Sequence, residues 1–271
     1  MPLRLTDKTK IMGVINITPD SFSDGGMYLD AEKALKKATD CISLGADIID
    51  IGGQSTRPGA EILEPDQELK RIVPALKLIR NRYPNQIISV DTFYSEVAKE
   101  VLKLGANWIN DVSGGRFDPQ MFNELAGKKV TIVITHSRGN SQNMKNFSNY
   151  KNVVADVLSE LLLQVEKAIL EGVSSDQIII DPGIGFAKNT SHNLELLRNI
   201  DIFVNSNYPV LIGPSRKRFI GDVLNEPDPL KRLFGTSAVV CKCVQAKVNF
   251  IRLHDIYEMK QLIAMASVLW P

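Results

Sequence analysis

Asp91, Asn110, Asp181 and Lys217 each stand at or just beyond the end of a short apolar run, in "IISVDT", "WINDVSGG", "IIIDPG" and "PVLIGPSRK". Two carboxylates, an amide and an ammonium lining one pocket would suit a flat heterocycle with both donors and acceptors, because buried polar groups need partners. A second set ends other runs: Asn16 in "KIMGVIN", Arg57 after "DIIDIGGQST", and Arg252 and His254 in "FIRLHD". Clustered on one rim, these suit a phosphate or pyrophosphate, arginine giving forked hydrogen bonds. No Cys/His/Asp cluster fits a tightly held metal. An asparagine oxygen together with substrate phosphates would make a weak Mg²⁺ site. Residue types alone therefore point to an enzyme that handles a heterocyclic phosphate ester and leave the heterocycle open.

These residues converge only if the elements carrying them do. The apolar runs, near Met12, Ile49, Ser89, Ile109, Val133, Ile179, Leu211 and Ile251, are short and rich in Ile and Val, as strands buried on both faces are. Longer segments with helical spacing lie between them. Over Val157 to Leu170 the spacing predicts one apolar face made of Leu158, Leu161, Leu162, Val165 and Ile169. "SLGADIID" and "KLGANWIN" repeat one junction, helix then glycine then strand, with Gly45 and Gly105 placed for left-handed helix caps and Gly172 placed likewise in "LEGVS". Repeated βα units imply parallel strands, and eight of them a closed (β/α)₈ TIM barrel with its site at the C-terminal strand ends. An open doubly wound sheet is the alternative, but no G-x-G-x-x-G turn follows the first strand.

The 271 residues show no linker or composition shift, so one domain over 1–271 is expected, with residues 1–6 as a short extra arm. A 44% apolar content supports a sizeable core, and a net charge of +1 gives no reason to expect nucleic acid or an anionic membrane as partner. The N-terminus lacks the apolar stretch of a signal peptide, and no run approaches the ~18 residues of a membrane span, so the expected location is cytoplasmic. Three cysteines make no disulfide framework, and Cys241 and Cys243 read as core residues of a helix.

The first two connections after strands, Thr18 to Tyr28 and Ser55 to Pro65, are long and rich in Ser and Gly, as loops that close over a ligand are. Each strand-end aspartate also has a plain role open to it, capping the next helix. His136 has no partner visible in the sequence and is expected to support the pocket wall, and His192 is expected at an exposed helix start with no role.

Taken in order, "MGVINITPDSFSDGG", "DIIDIGGQSTRPGA", "WINDVSGG", "IIIDPGIGFAKN", "GPSRKRFIG" and "IRLHD" resemble the dihydropteroate synthases over nearly the whole chain. The resemblance implies condensation of 6-hydroxymethyl-7,8-dihydropterin diphosphate with 4-aminobenzoate to 7,8-dihydropteroate and pyrophosphate, in folate synthesis. It implies a pterin pocket of Asp91, Asn110, Asp181 and Lys217, with Asp91, Arg57 and Lys217 as catalytic groups. Mg²⁺ would be ligated by Asn16, and the diphosphate held by Asn16, Thr56, Arg57, Arg252 and His254. Aminobenzoate would be framed by Phe22, Ser23, Thr56, Pro58, Phe186, Ser215 and Lys217. Sulfonamide inhibition and a homodimer through outer helices are implied as well. Two rivals remain: a pterin-dependent methyltransferase, which has no use for "STRPG", "SRK" or "RLHD", and a non-catalytic pterin-binding module, which would have lost residues that are all present here. The chain departs from the family pattern at Thr135, Ser137, Ala187, Pro214 and Arg218, which bear on pocket packing and inhibitor fit.

Overall fold

The computed structural model describes residues 8–17, 26–55, 57 and 59–270, with 26–29 as backbone alone. Eight strands alternate with helices: β1 (Lys10–Asn16), α1 (Gly26–Leu44), β2 (Ile48–Gly52), α2 (Pro65–Arg82), β3 (Ile87–Asp91), α3 (Ser95–Lys103), β4 (Trp108–Asp111), α4 (Met121–Leu125), β5 (Thr131–Thr135), α5 (Val153–Leu170), β6 (Ile178–Asp181), α6 (Thr190–Arg198), α7 (Ile200–Val204), β7 (Leu211–Ile212), α8 (Arg218–Leu224), α9 (Leu233–Gln245), β8 (Phe250–Leu253) and α10 (Ile256–Leu269). All strand pairs are parallel, in the order β6-β5-β4-β3-β2-β1-β8-β7. A bridge between Ile180 and Val210 brings the two ends together. This is the expected (β/α)₈ barrel rather than an open doubly wound sheet.

Strand side chains alternate, and the barrel gives the two faces different environments. Outward residues such as Ile11, Ile49, Ile51, Ile88, Val90, Ile109, Ile132, Ile180 and Ile251 join one continuous core with the helices. A fully buried Ile contributes roughly 1.5–3 kcal/mol. Inward residues Met12, Ile48, Trp108, Val133, Ile179, Leu211 and Phe250 form a separate apolar plug inside the barrel. Each plug residue lies two or four positions before a polar or glycine position on the same face: Met12 before Asn16, Ile48 before Asp50 and Gly52, Trp108 before Asn110, Ile179 before Asp181, and Phe250 before Arg252 and His254. The strands thus carry a dry floor and a polar mouth on one face.

The helix ends follow local chemistry. Gly45, Gly105 and Gly172 take φ values of +100°, +96° and +100°, the left-handed caps expected. Asn152 caps α5 by accepting from Ala155 N–H at 3.0 Å, and Asn189 caps α6 by accepting from His192 N–H at 2.8 Å. Helix α5 buries Val157, Leu161, Val165 and Ala168, while Leu162 and Ile169 are exposed. The expected face thus held for Leu161, Val165 and the partly buried Leu158 and failed for Leu162 and Ile169: α5 is aliphatic around much of its circumference, and packing on the barrel chose the stripe. Cys243 is buried within α9, and Cys241 beside it is half-buried.

Candidate active site

The mouth is organised around Arg252. Its Nε donates to Asp50 Oδ2 at 2.6 Å and its Nη2 to Asp91 Oδ2 at 2.9 Å. Asn110 Nδ2 donates to the same Asp50 oxygen at 3.2 Å. Asp50, on β2, is fully buried, and Asp91 and Asn110 nearly so. Burial works against the Arg252 charge, but Asp50 and Asp91 outweigh it and raise its proton affinity. Asp91 is pushed up to about 7, first by burial and then by Asp50 and Asp111, against the pull of Arg252 and Lys217. Gly52 matters by what it lacks. A Cβ there would lie 3.7 Å from Asn16 Oδ1 and 3.8 Å from Asp91 Oδ2, so its absence leaves both oxygens facing one opening.

Asp181 ends β6 with its Oδ1 accepting from Gly183 N–H at 2.7 Å. Its carboxyl is pushed up to about 6 by burial, with Gly183, Lys217, Lys188 and Arg252 opposing. Neither strand-end aspartate caps a helix: Tyr94 holds that position for α3 and Asn189 for α6. The plain alternative is thereby removed. Asp111 differs, because it faces outward and accepts from Ser113 N–H, Ser113 Oγ–H and Gly115 N–H at 2.7–2.8 Å, which organises its own loop.

Lys217 stands just before α8, with Nζ 4.3 Å from the centre of the Phe186 ring. It is lowered to about 8 by burial, Arg252 adding to this while Asp181 and Asp91 oppose it. Gly185, at φ +87°, makes room for it: a Cβ would come within 2.9 Å of the lysine Cδ. Ser215 Oγ lies 2.9 Å from His254 Nδ1, and burial together with Arg252, Arg216 and Lys37 lowers His254 to about 3, so its ring is neutral. Arg216, also at the end of this run, is committed to Asp255, with Nε 3.1 Å from Oδ2. The side chain of Arg57 is exposed.

The structure thus gathers Asn16, Asp91, Asn110, Asp181, Ser215, Lys217, Arg252 and His254 at one barrel mouth, with Phe186 against Lys217. Phe22, Ser23, Thr56, Pro58, residues 18–25 of the first connection and the arm 1–6 lie outside the described residues, and that connection ends sooner than expected, because α1 already begins at Gly26. Asp50 is the residue that sequence reasoning missed. Its signal was a carboxylate inside an apolar strand, two positions before Gly52 on the same face. His136 has partners after all: it is fully buried, with Nε2 3.1 Å from Glu160 Oε2 and Nδ1 2.9 Å from Lys188 Nζ. Lys188 also donates to Phe186 O at 2.9 Å and Gly183 O at 3.1 Å, so this group braces the loop that carries Phe186. Ala187, next to it, is held at φ +48°, where glycine costs less.

Among the described residues no cluster of His, Cys, Asp and Glu could by itself hold a metal. Asn16 Oδ1 at the Gly52 opening is a hard oxygen donor of the kind Mg²⁺ accepts beside phosphate oxygens and water.

The pterin binding enzyme family model matches residues 12–254. A dihydropteroate synthase of Bacillus subtilis is 44% identical over 267 residues, which span 98% of this chain and 90% of the relative. The crystal structure of a dihydropteroate synthase from Clostridium difficile, obtained in the presence of pteroic acid, is 38% identical and matches with a TM-score of 0.91 over 97% of both chains. A Yersinia pestis dihydropteroate synthase in a sulfonamide drug complex is 32% identical, with a TM-score of 0.91 over 99% of this chain and 98% of the other.

Proposed function

Because this chain belongs to the pterin binding enzyme family, among its dihydropteroate synthases, we propose that the groups gathered around Asp91 and Asp181 carry out the condensation of 6-hydroxymethyl-7,8-dihydropterin diphosphate with 4-aminobenzoate. The products are 7,8-dihydropteroate and pyrophosphate. The observation that carries the assignment of roles is the convergence of Asp91, Asn110, Asp181, Lys217 and Arg252 on one mouth above an apolar floor.

Asp181 accepts from the pterin amino group and ring N–H, Asn110 adds its amide, and Lys217 donates to the ring carbonyl and a ring nitrogen. Burial makes each of these bonds specific, since a pterin that leaves them unmade strands polar groups without water. Arg57, Thr56, Arg252, His254 and Asn16 hold the diphosphate side. If the Ser215 hydroxyl donates to Nδ1, neutral His254 presents Nε2–H outward as a donor. Arg252, tethered to two carboxylates, is preorganised and need not be ordered when substrate arrives.

The C–O bond between the pterin methylene and the diphosphate breaks with its electron pair leaving on oxygen. Positive charge spreads from the methylene into the pterin, and the Asp91 carboxylate stabilises it. The arylamine nitrogen then donates its lone pair to the methylene and loses one proton. Phe186, Ser215 and Lys217, with Phe22, Ser23, Thr56 and Pro58, position that weak nucleophile, where positioning is the larger part of the rate. Mg²⁺ fits at Asn16 together with diphosphate oxygens, and when bound it supplies charge that stabilises the leaving group.

The same proposal takes residues 1–271 as one cytoplasmic domain without nucleic-acid or membrane partners. No described helix is long and apolar enough to cross a membrane. It includes a homodimer, supported by the exposed Phe234 on α9 and Tyr257, Met265, Val268 and Leu269 on the neighbouring α10. Light scattering tests the dimer. The deciding experiment for function is a product assay with pterin diphosphate, 4-aminobenzoate and Mg²⁺. Dihydropteroate and pyrophosphate in equal amounts are expected, and their absence would overturn the assignment.

A further inference from the structure

Two connections at the barrel mouth are tied to each other. Ser141, between β5 and α5, accepts from Gly59 N–H through its carbonyl at 2.7 Å and donates its hydroxyl to Ala60 O at 2.8 Å. Ala60 N–H donates in turn to Arg57 O at 3.0 Å. The far end of the same β2–α2 connection is also held. Leu63 N–H donates to Gln54 Oε1 at 2.7 Å, and the Tyr94 hydroxyl donates to Leu63 O at 2.7 Å. The supports on the other side are themselves ordered: Asn140 N–H donates to Asn143 Oδ1 at 2.8 Å and Met144 N–H to Asn140 O at 2.9 Å. Tyr94 packs against Phe93 and Phe117 at ring-centre distances of 4.8 and 5.4 Å.

Between the two connections lies a cavity with Ile62, Phe93, Val112, Phe117, Met144 and Phe186 as its apolar lining. Among the described residues, the hydrogen bonds that join the two connections beside this hollow are those of Ser141. The Arg57 side chain is exposed, and the hydrogen bonds that reach this residue are to its backbone: its N–H to Ser55 Oγ at 3.4 Å and its carbonyl from Ala60 N–H. That backbone is fastened to the rest of the mouth by the Ser141 clasp.

We propose that Ser141 is a positioning residue for the condensation: it holds the β2–α2 connection, and through it Arg57, in register with the strand-end groups, with Tyr94 securing the other end. In this role Ser141 acts through the β2–α2 connection and not by contact with the reacting atoms. The inference rests on the role assigned above to Arg57 on the diphosphate side. Small misplacement of a group that must meet a leaving group lowers the rate without loss of fold.

The test compares wild type, Ser141→Ala and Tyr94→Phe. Each substitution removes one hydroxyl hydrogen bond, so kcat/KM is expected to fall roughly threefold to tenfold in each, and further in the double variant. Pyrophosphate binding by calorimetry should weaken in parallel. The melting temperature should fall by no more than the few degrees that one lost hydrogen bond implies, and the affinity for a pterin analogue without diphosphate should not change. Hydrogen exchange at the Gly59 and Leu63 amides should accelerate, a readout that needs no activity. An inactive wild type would count against the proposed function, and the exchange data would still decide whether the clasp exists. With an active wild type, unchanged kinetics in Ser141→Ala would overturn the positioning role. So would parallel losses of melting temperature and pterin-analogue affinity, which mark a merely structural contact.

Discussion

Arg252 lies between Asp50 and Asp91, 2.6 Å from one carboxylate and 2.9 Å from the other, so one guanidinium joins the middle of the barrel interior to its mouth. Asp50 raises the proton affinity of Asp91, and its removal leaves Arg252 to pair with Asp91 alone. Both effects favour the Asp91 carboxylate. We predict that Asp50→Asn moves the acid limb of kcat/KM below about 7 and destabilises the fold by about 1–3 kcal/mol, less than a fully orphaned arginine would cost. Activity against pH and urea denaturation check it, and an acid limb that stays in place would show that Asp91 does not set it.

In the roles proposed for them, Asp91 and Asp181 act ionised and Lys217 protonated. The carboxyls are pushed up to about 7 and about 6, and the lysine is lowered to about 8. kcat/KM should therefore rise through pH 6–7 and fall above about 8, giving a narrow bell. A profile flat between pH 5.5 and 9 would contradict these assignments.

Asp181→Ala should lose affinity for a pterin analogue by on the order of 1–3 kcal/mol, because the ligand's donors are left unpaired in a buried site. Calorimetry reads this directly. Unchanged affinity would reduce Asp181 to the partner of Gly183 N–H.

Glu68 predicts an effect on stability. It is fully buried in α2, accepts from Thr92 Oγ1 at 3.2 Å, and is pushed up to about 8, first by burial and then by Asp91. Its unfolded value is near 4.5, so between pH 4.5 and 8 the folded state holds a proton that the unfolded state has released. Stability is then lost as pH rises through that window, at about 1.4 kcal/mol for each unit of separation, and is level above it. Glu68→Gln keeps the shape and removes the titration. Its stability relative to wild type should increase from pH 5 to pH 9, as followed by denaturant midpoints, and an equal difference at both pH values would refute the assignment.

Sulfonamides should compete with 4-aminobenzoate, since they present the same aniline ring to the pocket proposed around Phe186, Ser215 and Lys217. Arg218, at the start of α8, has a largely exposed side chain, so it is predicted to act on the outer tail of a drug and not on its aniline core. Potency should vary with the tail. Initial rates at several aminobenzoate concentrations will show the competition, and inhibition that does not weaken as aminobenzoate rises would rule out a shared site.

Much of this protein was legible in the chain itself. The eight apolar runs, the helix-ending Gly45, Gly105 and Gly172, and the polar strand ends depend on local physics: burial on both faces, left-handed backbone, and the need to pair polar groups. Those are properties of short segments, and each survives in the folded protein. The phase of the aliphatic helix α5 was not legible, because Leu162 and Ile169 are as apolar as Leu161 and Val165, and only packing against the barrel separates them. Nor were the pairs that span the chain. Asp50 meets Arg252 across 202 positions of sequence, Ser141 meets Ala60 across 81, and His136 meets Lys188 across 52. Any of these side chains could have found other partners in a different closure. Parallel strands with alternating faces put them on one interior or one rim, and that closure decided which strand residue became a site residue and which became core.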